Sequence, residues 1–227
     1  MQTKYALIVA GGTGSRMGLD IPKQYQLLAG KPVLMHTLAQ FAKSESQVKL
    51  VLVLHKDMRA YWQSLCAKYA FEIEHEIIEG GSTRFQSVKN GIQFILAQDA
   101  AVDSLIAIHD AARPLISPSL IDQSYACARE HGACIVALAS SNSIRIGDNS
   151  VNKAVDRTQV WSAQTPQTFR LELLEEAFAQ AESPLFTDDA SVVEKLGHPI
   201  HIIPGEQKNM KITFPEDLEI AALLLGK

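Results

Sequence analysis

The 227-residue sequence lacks the features that mark secreted, membrane-spanning and nucleic-acid-binding proteins. Its three cysteines are odd in number and have no Cys-x-x-Cys spacing, which indicates a reducing compartment and argues against structural zinc. The formal net charge is −4, whereas nucleic-acid-binding proteins are usually basic. We find no signal-peptide pattern and no apolar run approaching the roughly 18 residues of a membrane helix. These absences predict a cytoplasmic protein that binds neither membrane nor nucleic acid.

Two familiar nucleotide-binding motifs are also absent. The sequence contains no Gly-x-x-x-x-Gly-Lys-Ser/Thr loop. Its N-terminal glycine-rich segment misses the Gly-x-Gly-x-x-Gly spacing of dinucleotide-binding proteins by one residue, and His55 and Lys56 stand where an acidic residue would close the second strand. The sequence therefore argues against a P-loop enzyme, and an NAD-dependent oxidoreductase is left only as a weaker alternative.

Short apolar runs that alternate with helical patterns predict the fold. Hydrophobic residues make up 47% of the chain, enough for a sizeable core. Strand–helix alternation favours a mostly parallel sheet with helices on both faces, in one α/β domain over residues 1–227. The predicted strands are 5–10, 48–55, 71–78, 104–109, 133–139 and 200–203, and the predicted helices lie near 33–43, 57–69, 83–97, 118–130, 170–181 and 188–196, with a final helix after Thr213.

The segment 10–18 is the most informative part of the sequence. It follows the first predicted strand directly and contains four glycines in nine residues. Glycine lets the backbone approach a ligand closely, and a loop of bare amides at the end of a strand suits a phosphate chain. Arg16 in this segment and Lys23 in the following Pro-Lys-Gln-Tyr segment add positive charge. The pattern predicts a polyphosphate site.

Two further segments follow predicted strands and can extend the same site. In 80–88, Ser82 either caps the next helix or, together with Ser87, lines a nucleotide pocket. In 109–114, Asp110 either pairs with Arg113 in the turn or holds ribose hydroxyls or magnesium, because ligands of open α/β sheets bind at the carboxyl ends of strands. We expect His109 to pack locally rather than to act as a base.

Residues 140–160 break the alternation of strands and helices. A turn signal at 147–149 lies between two short alternating stretches, which predicts a β-hairpin arm. An isolated two-stranded ribbon is marginally stable in water, so we expect the arm to pack on a second subunit. Taken alone, Arg157 at the base of this arm and Lys211 before the last helix would be ordinary surface charges.

Taken together, these segments resemble the 2-C-methyl-D-erythritol 4-phosphate cytidylyltransferases of the non-mevalonate isoprenoid pathway. The resemblance extends over nearly the whole chain, through segments 10–18, 22–25, 80–88, 109–114, 155–157, 164–167, 187–190 and 209–218. It implies a Rossmann-like three-layer sandwich with a protruding β-hairpin arm, a homodimer, and transfer of cytidine monophosphate from CTP to methylerythritol phosphate with release of pyrophosphate. It also implies Mg²⁺, held mainly through the CTP phosphates, with no dedicated metal ligand from the protein.

The resemblance further implies roles for individual residues. Arg16 and Lys23 would be catalytic, stabilising charge at the α-phosphate and on the leaving pyrophosphate. The nucleotide would be bound by Ala10, Gly11, Gly12, Gly14, Gly81, Ser82, Ser87 and Asp110. Arg157 and Lys211 would bind the sugar phosphate, assisted by Arg113, Ser143 and Thr165, some of them across the dimer interface.

One departure from the family pattern keeps alternatives open. The arm usually carries an Asp-Thr pair followed by an apolar residue and Lys, whereas this chain has Asn142-Ser143-Ile144-Arg145, which keeps a hydroxyl and loses a carboxylate. A ribitol-5-phosphate cytidylyltransferase or another sugar-phosphate nucleotidyltransferase is the alternative. A non-catalytic nucleotide sensor would bind CTP without releasing pyrophosphate.

Overall fold

The computed structural model describes residues 2–12 and 21–226. The predictions for Gly14 and Arg16 fall on residues outside these ranges. In the described residues the strands are β1 Lys4–Ala10, β2 Leu27–Leu28, β3 Lys31–Pro32, β4 Lys49–Leu54, β5 Glu76–Glu79, β6 Leu105–Asp110, β7 Ala133–Ala139, β8 Ile144–Gly147, β9 Asn152–Val155, β10 Trp161–Arg170 and β11 His201–Pro204. The α-helices are α1 Val33–Ala42, α2 Arg59–Lys68, α3 Arg84–Leu96, α4 Pro118–His131, α5 Leu171–Ala179, α6 Asp189–Glu194 and α7 Pro215–Leu225.

A central sheet of seven described strands organises the molecule, in the order β11-β7-β10-β6-β1-β4-β5. Its pairings are parallel except for β10, which runs antiparallel to both β6 and β7. This confirms the predicted mostly parallel sheet. The parallel strands β1, β4 and β6 end at the same edge, so the segments that follow β1 and β6 lie close together.

The helices cover both faces of the sheet, and the alternation of side chains along β1 divides the core in two. Ala6, Ile8 and Ala10 face the side covered by α1, α2 and α4, whereas Tyr5 and Leu7 face the side of α3, α5 and α6. Both sides are rich in fully buried apolar residues, as expected for a sheet covered on both faces. None of the helices in the described part of the chain combines the length and apolarity that a membrane crossing requires.

One predicted strand was wrong in extent, and one long strand was missed. Of the strand predicted at 71–78, only the part that lies in β5 pairs with a neighbouring strand. The residues before β5 do not pair with β4, and Phe71 packs on Trp62. The ten-residue strand β10 was not predicted, because Ser, Gln, Thr and Pro interrupt its apolar pattern. Its polar side chains Gln164, Thr165 and Gln167 are nevertheless buried.

The pairing predicted within 140–160 is present. Strands β8 and β9 form an antiparallel two-stranded sheet apart from the central one, with Ile144 opposite Val155. Ile146 and Val151 in this hairpin are exposed, by 58% and 75%. That the hairpin is a protruding arm that packs on a second subunit stays a prediction.

Candidate active site

A cavity of about 370 Å³ opens at the carboxyl ends of β1 and β6. Most of the predicted nucleotide-binding residues line it, although they come from separate parts of the sequence. The cavity brings together Ala10, Gly11, Gly12, Lys23, Gly81, Ser82, Ser87, Asp110 and Lys211, and its wall also includes Gln24, Thr83, Arg84 and Thr213. The polar and charged side chains of this wall outnumber the apolar ones, which are Val9, Ala10, Ala111 and Ala112, so the cavity suits a charged, hydrogen-bonding ligand.

The segment after β1 is fixed by a side chain from the Lys23–Tyr25 turn of 3-10 helix. The Nε2 atom of Gln24 donates to the carbonyl oxygens of Ala10 and Gly12, at 2.8 and 3.0 Å. Gln24 is only 4% exposed, and Tyr25 beside it is buried against Tyr61 and Trp62. The turn that carries Lys23 is therefore anchored on both sides.

The second wall is the N-terminus of α3, and its cap differs from the prediction. Thr83, not Ser82, is the N-cap: its side-chain oxygen accepts from the Gln86 amide at 3.1 Å because Thr83 directly precedes the first helical residue. Ser82 instead donates to the Gln86 side chain. Ser87 Oγ donates to the Thr83 carbonyl at 2.8 Å and accepts from the Gly81 amide at 3.1 Å, so it ties the glycine turn to the helix.

Asp110 lies at the centre of a group of cations. Its carboxylate is 2.7 Å from Lys211 Nζ, 3.5 Å from an Arg84 nitrogen and 3.8 Å from Arg113 Nε. Burial alone would raise the pKa of this carboxyl, but the charges of Arg84, Lys211 and Arg113 outweigh it and hold the pKa well below its usual value. The predicted Asp110–Arg113 pair is thus present, yet its contact is the longest of the three.

Arg84 is a site residue that the sequence analysis did not single out. Its two terminal nitrogens donate to the two oxygens of Asp189, each at 2.7 Å, which joins the start of α3 to the start of α6. Burial acts against the charge of Arg84, but the carboxylates of Asp189 and Asp110 dominate and raise its pKa above the usual value. Asp189 is 105 positions away in sequence, so no local pattern reveals the pair.

His109 and Thr165 form a buried hydrogen-bond chain beneath the cavity. The Asp110 amide donates to Thr165 Oγ1 at 3.1 Å, and Thr165 Oγ1 lies 3.1 Å from His109 Nδ1, whose Nε2 lies 3.2 Å from the Arg113 carbonyl. Because a carbonyl oxygen can only accept, Nε2 carries the proton and Nδ1 accepts from the hydroxyl. Burial lowers the pKa of His109 to about 4, so the ring is neutral near pH 7. The expectation that His109 packs locally is confirmed.

Asn209 links β10 to the segment that carries Lys211. Its Nδ2 donates to the Thr165 carbonyl at 2.9 Å and to the Gln164 side chain at 3.2 Å, and its own carbonyl accepts from Arg113 at 2.9 Å. Asn209 is fully buried and stands two residues before Lys211. These bonds fix the approach of Lys211 to Asp110, and they place Arg113 and Thr165 in the frame under the cavity rather than in its lining.

Two predicted residues that the structure does describe, Ser143 and Arg157, do not reach this cavity within one chain. Ser143 and Arg157 flank the exposed hairpin, and an Arg157 nitrogen donates to the Ser141 carbonyl at 2.8 Å. Neither residue lines the cavity. The described cavity therefore holds the predicted nucleotide side of the site together with Lys211, and it lacks the hairpin residues.

The family model of 2-C-methyl-D-erythritol 4-phosphate cytidylyltransferase matches residues 5–227. The chain belongs to this family. This cytidylyltransferase is 48% identical over 225 residues to the 2-C-methyl-D-erythritol 4-phosphate cytidylyltransferase of Porphyromonas gingivalis ATCC 33277, covering 99% of this chain and 98% of that protein. It is 42% identical over 219 residues to the one from Bacteroides thetaiotaomicron, covering 96% and 98%.

Solved structures agree with this membership. A crystal structure of 4-diphosphocytidyl-2C-methyl-D-erythritol synthase has a TM-score of 0.84 and 30% identity over 99% of both chains. The Francisella tularensis 2-C-methyl-D-erythritol 4-phosphate cytidylyltransferase has a TM-score of 0.78 and 31% identity, covering 98% of this chain and 99% of that one. The chain is a nucleotidyltransferase of isoprenoid biosynthesis, and the ribitol-phosphate alternative is not favoured.

The lining of the cavity is compatible with a magnesium ion that is held mainly by phosphates. Asp110 is the one carboxylate among the described lining residues, and Mg²⁺ is commonly bound through one or two carboxylates together with substrate phosphates and water. Among residues 2–12 and 21–226, no group of three or more His, Cys, Asp or Glu side chains is placed to hold a metal on its own.

Proposed function

We propose that this cavity binds CTP and transfers its cytidylyl group to 2-C-methyl-D-erythritol 4-phosphate, releasing pyrophosphate. The observation that carries the proposal is the meeting of the glycine segment after β1, Lys23, Asp110 and Lys211 in one polar cavity. Backbone amides at the ends of parallel strands suit the phosphates. The hydroxyl of Ser82, together with the carbonyl of Gly81 and Ser87 Oγ as acceptors, supplies polar groups for the nucleoside.

The acceptor needs no general base from the protein. Its phosphate monoester has a second pKa of about 6, so at neutral pH an acceptor oxygen is already anionic. That oxygen attacks the α-phosphorus of CTP, a new P–O bond forms, and the bond to pyrophosphate breaks with its electron pair leaving on pyrophosphate. His109 is neutral, buried and fully engaged in hydrogen bonds, which agrees with a reaction that uses no histidine base.

Catalysis then consists of positioning and charge stabilisation. Lys23, together with Arg16, stabilises the charge at the α-phosphate and on the leaving pyrophosphate. Lys211, which pairs with Asp110 at 2.7 Å, is close enough to the cavity to exchange that carboxylate for the phosphate of the acceptor. Mg²⁺, bound through the CTP phosphates and Asp110, would supply further neutralisation of negative charge.

We further propose that the hairpin completes the acceptor side of the site in a cytoplasmic homodimer of single-domain chains. Arg157 and Ser143 lie outside the cavity of their own chain, and the hairpin residues Ile146 and Val151 are exposed. A two-fold dimer would allow each hairpin to serve the cavity of the other chain. Arg113 and Thr165 would act from beneath, by holding Lys211, Asp110 and His109 in place.

A pyrophosphate-release assay tests the reaction. CTP, UTP, ATP and GTP are each combined with methylerythritol phosphate and with ribitol 5-phosphate, with and without Mg²⁺. We expect release only with CTP and methylerythritol phosphate, and only with the metal. Pyrophosphate release from CTP with ribitol 5-phosphate but not with methylerythritol phosphate would contradict the assigned acceptor. Binding of CTP with no pyrophosphate release in the presence of either acceptor would indicate a nucleotide sensor.

A tagged heterodimer tests the exchange of hairpins. One chain carries Lys23→Ala and the other Arg157→Ala, so a dimer with exchanged hairpins has one intact site and one doubly altered site. With methylerythritol phosphate well below its wild-type KM, where the Arg157→Ala parent is expected to be slow, we expect about half of the wild-type rate per dimer, because two-fold symmetry gives two equivalent sites. Activity no higher than the mean of the two parent variants would mean that Arg157 serves its own chain.

A further inference from the structure

Gln24 occupies a position in the cavity wall that the cytidylyl-transfer chemistry itself does not use. It is 4% exposed, lies next to Lys23, and directs its side-chain amide at the segment after β1. Its nitrogen donates to two carbonyl oxygens two residues apart, Ala10 O at 2.8 Å and Gly12 O at 3.0 Å. A primary amide has only two N–H donors, so both are consumed by the backbone and none remains for a substrate.

The two bonds fix the direction of the peptide groups. In a trans peptide the N–H points away from its own C=O. With the Ala10 carbonyl bound to Gln24, the Gly11 amide of the same peptide points to the opposite side from Gln24. Gly11 has no side chain to hold this orientation, and glycine is the residue with the most backbone freedom to lose. The bonds from Gln24 thus restrain the backbone orientation of the glycine segment, which its own side chains cannot do.

We propose that Gln24 is a positioning residue that sets the orientation of the triphosphate-binding backbone and its distance from Lys23. This inference rests on the proposed function, in which the segment after β1 and Lys23 contact the same triphosphate. Gln24 and Lys23 share one turn, which Tyr25 anchors in the core by its contacts with Tyr61 and Trp62. One short turn therefore fixes both the cation and the amides that face the phosphates.

The test compares three variants by steady-state kinetics in both substrates at pH 8. Gln24→Met keeps the volume of the side chain and removes both donors. Gln24→His keeps one donor at similar reach. Gln26→Met is the matched control, because Gln26 also donates to a backbone carbonyl, that of Ile21 at 2.8 Å, but on the exposed side of the same turn.

We expect Gln24→Met to lower kcat/KM for CTP about tenfold to a hundredfold, which is the scale of a small misplacement of reacting groups. Its KM for the acceptor should stay within about twofold, and Gln24→His should fall between it and the wild type. Equal values for Gln24→Met and Gln26→Met would overturn the proposal, as would a raised KM for the acceptor with kcat and KM for CTP unchanged.

Two controls keep the outcomes distinct. If Gln24→Met does not fold, as judged by circular dichroism and thermal unfolding, Gln24→His carries the test, and wild-type kcat/KM for CTP in that variant overturns the proposal. If the wild type itself releases no pyrophosphate from CTP and methylerythritol phosphate, the proposed function fails, and calorimetric titration with CTP then decides the role of Gln24. Unchanged CTP affinity in both Gln24 variants would refute the positioning role of Gln24.

Discussion

Lowering the pH from 7 to 5 should destabilise this protein through the buried side chain of His109. The ring is fully buried, its two nitrogens are engaged by Thr165 and the Arg113 carbonyl, and burial lowers its pKa to about 4. In the unfolded chain a histidine has a pKa of about 6.5. The unfolded state therefore takes up a proton as the pH falls below 6.5, whereas the folded state resists protonation until about pH 4.

The size of the effect follows from this difference in pKa. Stability from the neutral ring is fully present above the unfolded pKa and is lost progressively as the pH falls towards the folded pKa. Linkage with a folded pKa of about 4 gives a loss of about 2 kcal/mol between pH 7 and pH 5 from His109 alone. The structure also explains why stability falls, and does not rise, at lower pH. A charged imidazolium at this buried position could no longer accept the hydrogen bond from Thr165.

Urea unfolding at pH 7 and pH 5 measures this loss in the wild type and in His109→Gln. Glutamine removes the titration and keeps an amide donor that can reach the Arg113 carbonyl. The substitution itself changes the free energy of unfolding. The informative quantity is therefore the difference in that free energy between wild type and variant, and how this difference changes with pH. Burial also lowers the pKa of His36, but that contribution is common to both proteins and cancels.

We expect the stability advantage of the wild type over His109→Gln to shrink by about 2 kcal/mol between pH 7 and pH 5. His55→Gln, at a position where the side chain is 42% exposed, shows the effect of removing a histidine as such. If wild type and His109→Gln differ in free energy of unfolding by the same amount at both pH values, His109 is not buried as a neutral ring, and the hydrogen-bond chain that depends on it is refuted.

Three substitutions test the site. Lys23→Ala should lower kcat about a hundredfold with the fold retained, because it removes a preorganised charge at the reacting phosphate; steady-state kinetics and circular dichroism check it, and unchanged turnover would remove Lys23 from the chemistry. Arg157→Ala should mainly raise KM for the sugar phosphate; a raised KM for CTP instead would reverse the assignment of the two half-sites. Arg84→Lys keeps the charge but loses the paired contacts with Asp189, which should cost about 1–3 kcal/mol in urea unfolding; wild-type stability would contradict a structural link between α3 and α6.

The sequence predicted the parts of the fold that depend on local pattern. The continuous apolar strands β4 and β6, the alternation with helices, and the polar segments after β1 and β6 all follow from neighbouring residues. The cavity residues Ala10, Gly81 and Asp110 could be grouped because the carboxyl ends of parallel strands share an edge.

What escaped prediction depends on partners that are distant in the sequence. Strand β10 can bury polar side chains because distant residues provide their hydrogen bonds. Gln167 bonds to Asp188 and to the Ala190 amide, and Gln164 bonds to Asn209 and to the Glu206 carbonyl. Gln24 and Arg84 reach their partners only in the folded chain. Thr83 was missed for another reason: two hydroxyl residues precede α3, and only the exact helix start decides which of them caps it.

The position of Asp110 accounts for two properties of the site at once. Without ligand, Arg84, Arg113 and Lys211 would repel one another, and the carboxylate within 3.8 Å of all three holds them together. When a triphosphate enters, the same carboxylate becomes a negative charge facing further negative charge, which opposes binding. In the proposed reaction, Mg²⁺ held by the CTP phosphates and Asp110 would neutralise this opposing charge. The carboxylate that holds these three cations together is thus also the residue at which the proposed metal would act.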